Sequence, residues 1–204
     1  MSLLIAFLVS YIIGAVPTAY LVGRWRKGVD IREVGSRNMG AMNVLYSVGV
    51  VEGLGVLTLD FAKGFLAVFI ARWLGESLSI QMVCGAVAIL GHIYPVFLRF
   101  KGGKGGATAI GVCFALMPWG IPVFYAIFIL LTLVSRFMTL AYSVALCCFP
   151  FVGWLIYDSL TFTLYAAGLL IFLGFRYLSR ARDIYQRAGG WRRAILRRDL
   201  KDRL

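Results

Sequence analysis

Long apolar runs separated by short polar stretches limit what this chain can fold into. A membrane span needs about 20 apolar residues, fewer where the bilayer thins or neighbouring protein shields the helix. Seven segments qualify, roughly 2–23, 53–74, 78–98, 106–118, 120–135, 139–157 and 161–178. The fourth is short, and Pro118 and Pro122 break the run that follows, so the fourth and fifth form either two short helices or one kinked element. With 61% hydrophobic and 15% charged residues, an ordinary soluble domain is excluded. The segment Met1 to Tyr20 lacks a basic leader region and a small-residue cleavage site, which predicts a retained first helix. The expected fold is all-α: a polytopic membrane protein of about seven transmembrane helices with cytoplasmic motif loops. Residues 1–204 would form a single integral membrane domain, with 179–204 as its basic cytoplasmic tail. No internal repeat is evident, which disfavours common transporter architectures.

Charge sets the orientation. The chain carries 21 Lys and Arg against 9 Asp and Glu, a net +12. In a soluble protein that balance would suggest nucleic acid; here it reflects the positive-inside bias of cytoplasmic segments. Placing the C-terminus inside puts 19 of the 21 basic residues on the cytoplasmic side, with only Lys63 inside a span and Arg72 near the outer face. The last segment, with Gly189-Gly190-Trp191 ahead of Arg192, Arg193, Arg197 and Arg198, suits either an anionic-lipid clamp or a solvated helix.

Three polar elements interrupt the apolar frame. The stretch Gly91-His-Ile-Tyr-Pro-Val-Phe-Leu-Arg-Phe-Lys-Gly-Gly-Lys-Gly-Gly-Ala-Thr108 holds the only histidine of the chain. Glycines expose backbone N–H groups and two lysines add charge among them, a nest suited to a phosphate. It is not a nucleotide-binding P-loop, because no Ser or Thr stands directly after its lysine and a membrane helix comes next. His92 is the one imidazole available as a general base, or it orients the loop through its ring nitrogens. The loop from Lys27 to Gly49 places Gly35, Ser36, Asn38, Gly40 and Asn43 at intervals of one to three residues. Small hydrogen-bonding residues at that spacing suit a backbone that approaches a ligand, and equally suit ordinary turns. In Leu59-Asp-Phe-Ala-Lys-Gly64, Asp60 and Lys63 share a helix face. They form either a structural ion pair or supply a second phosphate cation. The four cysteines, Cys84, Cys113, Cys147 and Cys148, lie in apolar segments without metal spacing and read as buried small hydrophobes without disulfides.

Taken together, these elements resemble the PlsY family of membrane glycerol-3-phosphate acyltransferases, which use acyl phosphate as donor. The family's pattern is close to Gly-His-x-(aromatic)-Pro-Val-Phe-x-x-Phe-Lys-Gly-Gly-Lys-Gly-x-Ala-Thr, and Gly91 to Thr108 matches it almost throughout. Lys27 to Asn43 and Asp60 to Gly64 match its other two motifs in order and spacing. Departures occur at Arg37, Met42 and Tyr46, where the family has glycine, threonine and arginine. The segment Phe175 to Asp183 keeps Arg176 but carries Tyr177 near the family's histidine and lacks its asparagine.

The resemblance implies transfer of a fatty acyl group from acyl phosphate to glycerol 3-phosphate, giving lysophosphatidic acid and phosphate in phospholipid synthesis. The expected catalytic set is Ser36, Lys104 and His92. Substrate and phosphate would be bound by Gly35, Arg37, Asn38, Gly40, Asn43, Lys63, Lys101, Gly102, Gly103, Gly105 and Thr108. Neither metal nor cofactor is expected, and EDTA should leave activity intact. Expected partners are the two substrates and membrane lipid, without nucleic acid, around a monomer. The expected location is the bacterial plasma membrane, with the N-terminus outside and the C-terminus cytoplasmic. The alternatives are a non-catalytic or substrate-shifted paralogue, to which the motif departures point, and a transporter of a phosphorylated solute.

Overall fold

The computed structural model describes residues 3–136 and 138–188, which form helices and their connections. The basic stretch from Arg192 onward lies outside the described residues, as do Gly189 to Trp191. Four helical stretches, Leu3–Lys27, Val50–Trp73, Leu78–Leu98 and Leu160–Tyr177, are long and apolar enough to cross a membrane; three shorter apolar helices accompany them. The chain divides between Leu116 and Met117 into two compact units.

The first unit contains α1 (Leu3–Ala15), α2 (Thr18–Lys27), α3 (Ala41–Ser47), α4 (Val50–Trp73), α5 (Leu78–Ile93) and α6 (Gly106–Leu116). Pro17 breaks the first span, because its ring removes an N–H donor and crowds the preceding turn. Packing between helices depends on small residues, since lipid tails are as apolar as the side chains and helices gain only by close approach. A Cβ at Gly14 would strike the Ala88 backbone, and one at Gly64 would strike the Thr108 carbonyl. α1 therefore lies directly on α5, and α4 on α6. Large apolar side chains such as Leu4, Val51 and Leu66 point outward. At one end Arg72 of α4 donates to the Ala115 carbonyl at 2.5 Å and to Gln81 at 3.2 Å, capping the C-terminus of α6. The motif loops emerge at the other end.

The second unit contains α7 (Gly120–Ser135), α8 (Met138–Leu146), α9 (Cys148–Leu155) and α10 (Leu160–Ala188). The fourth and fifth apolar segments are thus two separate helices, parted at Met117 to Trp119. The sixth, expected as one span over 139–157, is two helices, because Pro150 cannot donate to the Leu146 carbonyl and its ring crowds it. α10 runs beyond the expected end of its span at 178. Phe124 centres an aromatic core with Phe128, Tyr142 and Phe149 at 5.8–6.0 Å between rings. Cys84, Cys113 and Cys148 are buried as expected, whereas Cys147 is exposed. It borders an apolar hollow of about 420 Å³ together with Val123, Val144 and Phe151.

Candidate functional site

In the first unit α2 and α5 run toward the same end at which α4 and α6 begin, so the connections 28–40 and 94–105 share that end. A buried cluster of Ala19, Ile31, Met39, Val44, Val56 and Leu98 fuses the two loops. The join is tight: a Cβ at Gly103 would strike both the Met39 carbonyl and Nε2 of His92. Any other residue there would force the loops apart.

The first loop is built around Asn43, which is fully buried. Its amide nitrogen donates to the carbonyls of Ile31 (2.7 Å), Val34 (3.1 Å) and Asn38 (3.0 Å). Its Oδ1 accepts from the Ser36 backbone N–H at 3.0 Å and the Ser47 hydroxyl at 3.2 Å. An amide has two donor hydrogens and two acceptor sites; three carbonyls share the two hydrogens, and all are engaged. Asn43, expected to touch substrate, is the loop's internal frame. It carries Ser36 and Asn38, both half-buried, with Gly35 and Arg37 exposed beside them and Gly40 half-buried at the start of α3. Arg37 sits at φ 58°. Asp30, buried at the loop's base, accepts two hydrogen bonds from the Arg32 guanidinium at 3.0 and 2.7 Å. That guanidinium fork holds the Asp30 carboxyl well below the usual carboxylate range, at about 2, with the Arg32 backbone N–H adding to the effect and burial opposing it.

In the second loop the glycines do different work from that expected. Gly102 N–H donates to the Ile93 carbonyl at 3.0 Å and Gly103 N–H to the His92 carbonyl at 3.1 Å. Neither is available to an anion; they fold the loop back over the end of α5. Gly105 takes φ +83°, a left-handed turn that starts α6 while pressed against Ile89 and Ile93. Beyond it the N–H groups of Gly106, Ala107 and Thr108 open the helix and lie outside its internal ladder. Lys104 is half-buried immediately before this turn, and Lys101 is exposed. Thr108 is fully buried, and its hydroxyl lacks a hydrogen-bond partner among the described residues.

Beneath the loops lies a buried polar cluster. Lys63, 5% exposed, donates to the carbonyl of Val16 (2.6 Å), the hydroxyl of Thr18 (3.0 Å) and Oδ1 of Asp60 (2.5 Å). Three donors meet three acceptors, so Lys63 is a structural cation with no hydrogen left for a phosphate. The Thr18 hydroxyl also donates to Asp60 Oδ1 at 2.5 Å, and His92 Nδ1 faces the same oxygen at 3.6 Å. Sequence reasoning paired Asp60 with Lys63 but gave no reason to bring in Thr18 or His92, which lie on other helices. Among the described residues no three His, Cys, Asp or Glu side chains gather as a metal site would require.

This fold, with two fused polar loops over a buried ion pair, is that of an integral membrane acyltransferase. Two crystal structures of PlsY (YgiH), an integral membrane glycerol 3-phosphate acyltransferase, superpose on it with TM-scores of 0.82 and 0.80. They represent that protein's glycerol 3-phosphate and lysophosphatidic acid forms, are 32% and 31% identical, and each match covers 89% of this chain and 91% of theirs. The chain belongs to the glycerol-3-phosphate acyltransferase family, whose model matches residues 4–187. Glycerol-3-phosphate acyltransferase 2 of Dehalococcoides mccartyi strain 195 is 48% identical over 98% of this chain and 97% of its own length. The glycerol-3-phosphate acyltransferase of Endomicrobium trichonymphae is 34% identical over 89% and 91%.

Proposed function

We propose that the protein transfers a fatty acyl group from acyl phosphate to glycerol 3-phosphate, releasing lysophosphatidic acid and inorganic phosphate. A hydroxyl oxygen of the acceptor attacks the acyl carbon, the bond from that carbon to the phosphate oxygen breaks, and the departing phosphate takes the hydroxyl proton. The reading rests above all on the contact of Gly103 with Met39. It makes one site of a loop bearing Lys104 and a loop bearing Ser36. Both substrates carry phosphate, and helix N-termini with adjacent lysines favour anions. In this reading the first turn of α6 and Lys104 hold phosphate and stabilise charge that develops during transfer. Ser36 and Asn38 orient the acceptor, Lys101 and Arg37 add charge at the rim, and Asn43 with Gly102, Gly103 and Gly105 sets the loop shapes. The motif end of the first unit faces the cytoplasm, where the basic residues cluster, and the chain acts as a monomer.

The test is acyl transfer from palmitoyl phosphate to radiolabelled glycerol 3-phosphate by purified protein, beside Lys104→Ala. Product that falls by about a hundredfold or more in the variant supports the reading, the size expected for removing one charge-stabilising donor. Absence of product from folded wild-type protein refutes it. The outcome would then favour a substrate-shifted paralogue, the reading to which Arg37, Met42 and Tyr46 point.

A further inference from the structure

We propose that Asp60 is a positioning residue that fixes His92 as the Nδ1–H tautomer, so that Nε2 offers a bare lone pair to a hydroxyl of the acceptor. The inference rests on the acyl-transfer reading above for the identity of that acceptor.

Nδ1 is buried, has no hydrogen-bond partner among the described residues, and faces Asp60 Oδ1 at 3.6 Å. Asp60 is ion-paired with Lys63. A lone pair on Nδ1 aimed at a carboxylate oxygen in a buried site would be repelled, whereas an N–H there is attracted. The proton therefore belongs on Nδ1. The separation is longer than a hydrogen bond, because Oδ1 already accepts from Thr18 and Lys63. Asp60 thus orients the imidazole by its field and by the anchored geometry of three helices.

With the one ring proton on Nδ1, Nε2 is left as an acceptor. Nε2 lies against Gly103, where a side chain would displace it. The N–H of Gly103 is spent on the His92 carbonyl, so it is not the donor that Nε2 meets. The loop around it carries lysines that draw a phosphate, and a polyol phosphate brings hydroxyl donors with that phosphate. Nε2 is suited to read one of them. A site built to hydrogen-bond a substrate hydroxyl also rejects analogues lacking it.

The chain contains one histidine, so full-length protein labelled with ¹⁵N-histidine in detergent micelles gives a single pair of ring-nitrogen signals. The expected spectrum shows Nδ1 protonated and Nε2 not. Glycerol 3-phosphate should shift the Nε2 signal, and sulfate, an anion without a hydroxyl, should leave it in place. An Nε2–H tautomer, no response to glycerol 3-phosphate, or an equal response to sulfate overturns the proposal. Asp60→Asn alone strands a buried ammonium, so the charge-balanced pair Asp60→Asn/Lys63→Gln is the variant to use. It should lose the tautomer preference and raise KM for glycerol 3-phosphate about tenfold, the value of one hydrogen bond, with KM for acyl phosphate unchanged. In a His92→Ala background the pair should add no further rise; an additive loss would show that Asp60 acts by another route. Acyl transfer by wild-type protein with an imidazole that ignores glycerol 3-phosphate would sink this proposal and leave the reaction standing. The predicted tautomer and shift without any transfer would do the reverse.

Discussion

Lys63 Nζ lies 2.6 Å from the carbonyl oxygen of Val16, the residue at which Pro17 breaks the first span. Within a bilayer a broken helix must have its freed backbone groups satisfied by something nearby, and an ammonium from α4 does this while paired with Asp60. The break and the ion pair therefore depend on each other. Lys63→Met should cost about 3–5 kcal/mol, the usual penalty for stranding one buried charge. Thermal unfolding in detergent measures it, and a melting temperature equal to wild type would contradict the assignment.

Asn43→Asp is nearly isosteric, yet it sets a carboxylate oxygen against the carbonyls of Ile31, Val34 and Asn38. Losing those bonds and creating that repulsion should destabilise the loop by roughly 2–4 kcal/mol. Limited proteolysis should then cut within residues 28–40 faster than in wild type. Unaltered cleavage would mean that the loop does not depend on Asn43.

Gly103→Ala drives a methyl group between the Met39 carbonyl and His92 Nε2. Overpacking of this kind costs about 1–3 kcal/mol, so KM for glycerol 3-phosphate should rise by roughly ten- to a hundredfold. Gly168→Ala, whose Cβ would meet nothing within 4 Å, is the control and should stay within about 0.5 kcal/mol of wild-type stability.

The Asp30 carboxyl, lowered from 3.8 to about 2 by the Arg32 guanidinium, links the first loop to pH. A depressed carboxylate contributes its stability in full above the unfolded value and loses it as pH falls through the folded one. The contribution, about 2 kcal/mol, should be full at neutral pH, begin to fall near pH 5 and be almost gone by about pH 1. Asp30→Asn should be less stable than wild type at pH 7, with the gap closing across that window. A gap that stays constant across pH 4 to 2 would rule out the Arg32 pairing as its cause.

Much of the site was legible because its chemistry is local. The glycines and lysines of Gly91 to Thr108 mark a loop whatever surrounds them, and the spacing of Asp60 and Lys63 alone makes them neighbours on a helix. Two things were not legible. Which backbone N–H groups remain available depends on how the loop folds: Gly102 and Gly103 resemble anion-binding residues until their hydrogen bonds to Ile93 and His92 are known. The meeting of Thr18, Asp60 and His92 joins three helices distant in sequence, and no period or motif encodes such a contact. In the fold, Pro150 marked the break between α8 and α9, but a continuous apolar run hid it.

Arg72, remote from the motif loops, has a mechanical consequence for them. α6 is 11 residues long, about 16 Å. It is fastened to α4 at two levels: a close crossing where Gly64 meets the Thr108 carbonyl and Gly111 meets the Phe61 carbonyl, and the far end, where the Arg72 guanidinium holds the Ala115 carbonyl. A short rod held at a close crossing and at its far end cannot piston or tilt without breaking one of the two. The end of α6 that meets the glycine-rich loop is therefore a fixed datum, and movement during a reaction cycle falls to the side chains and the loop in front of it.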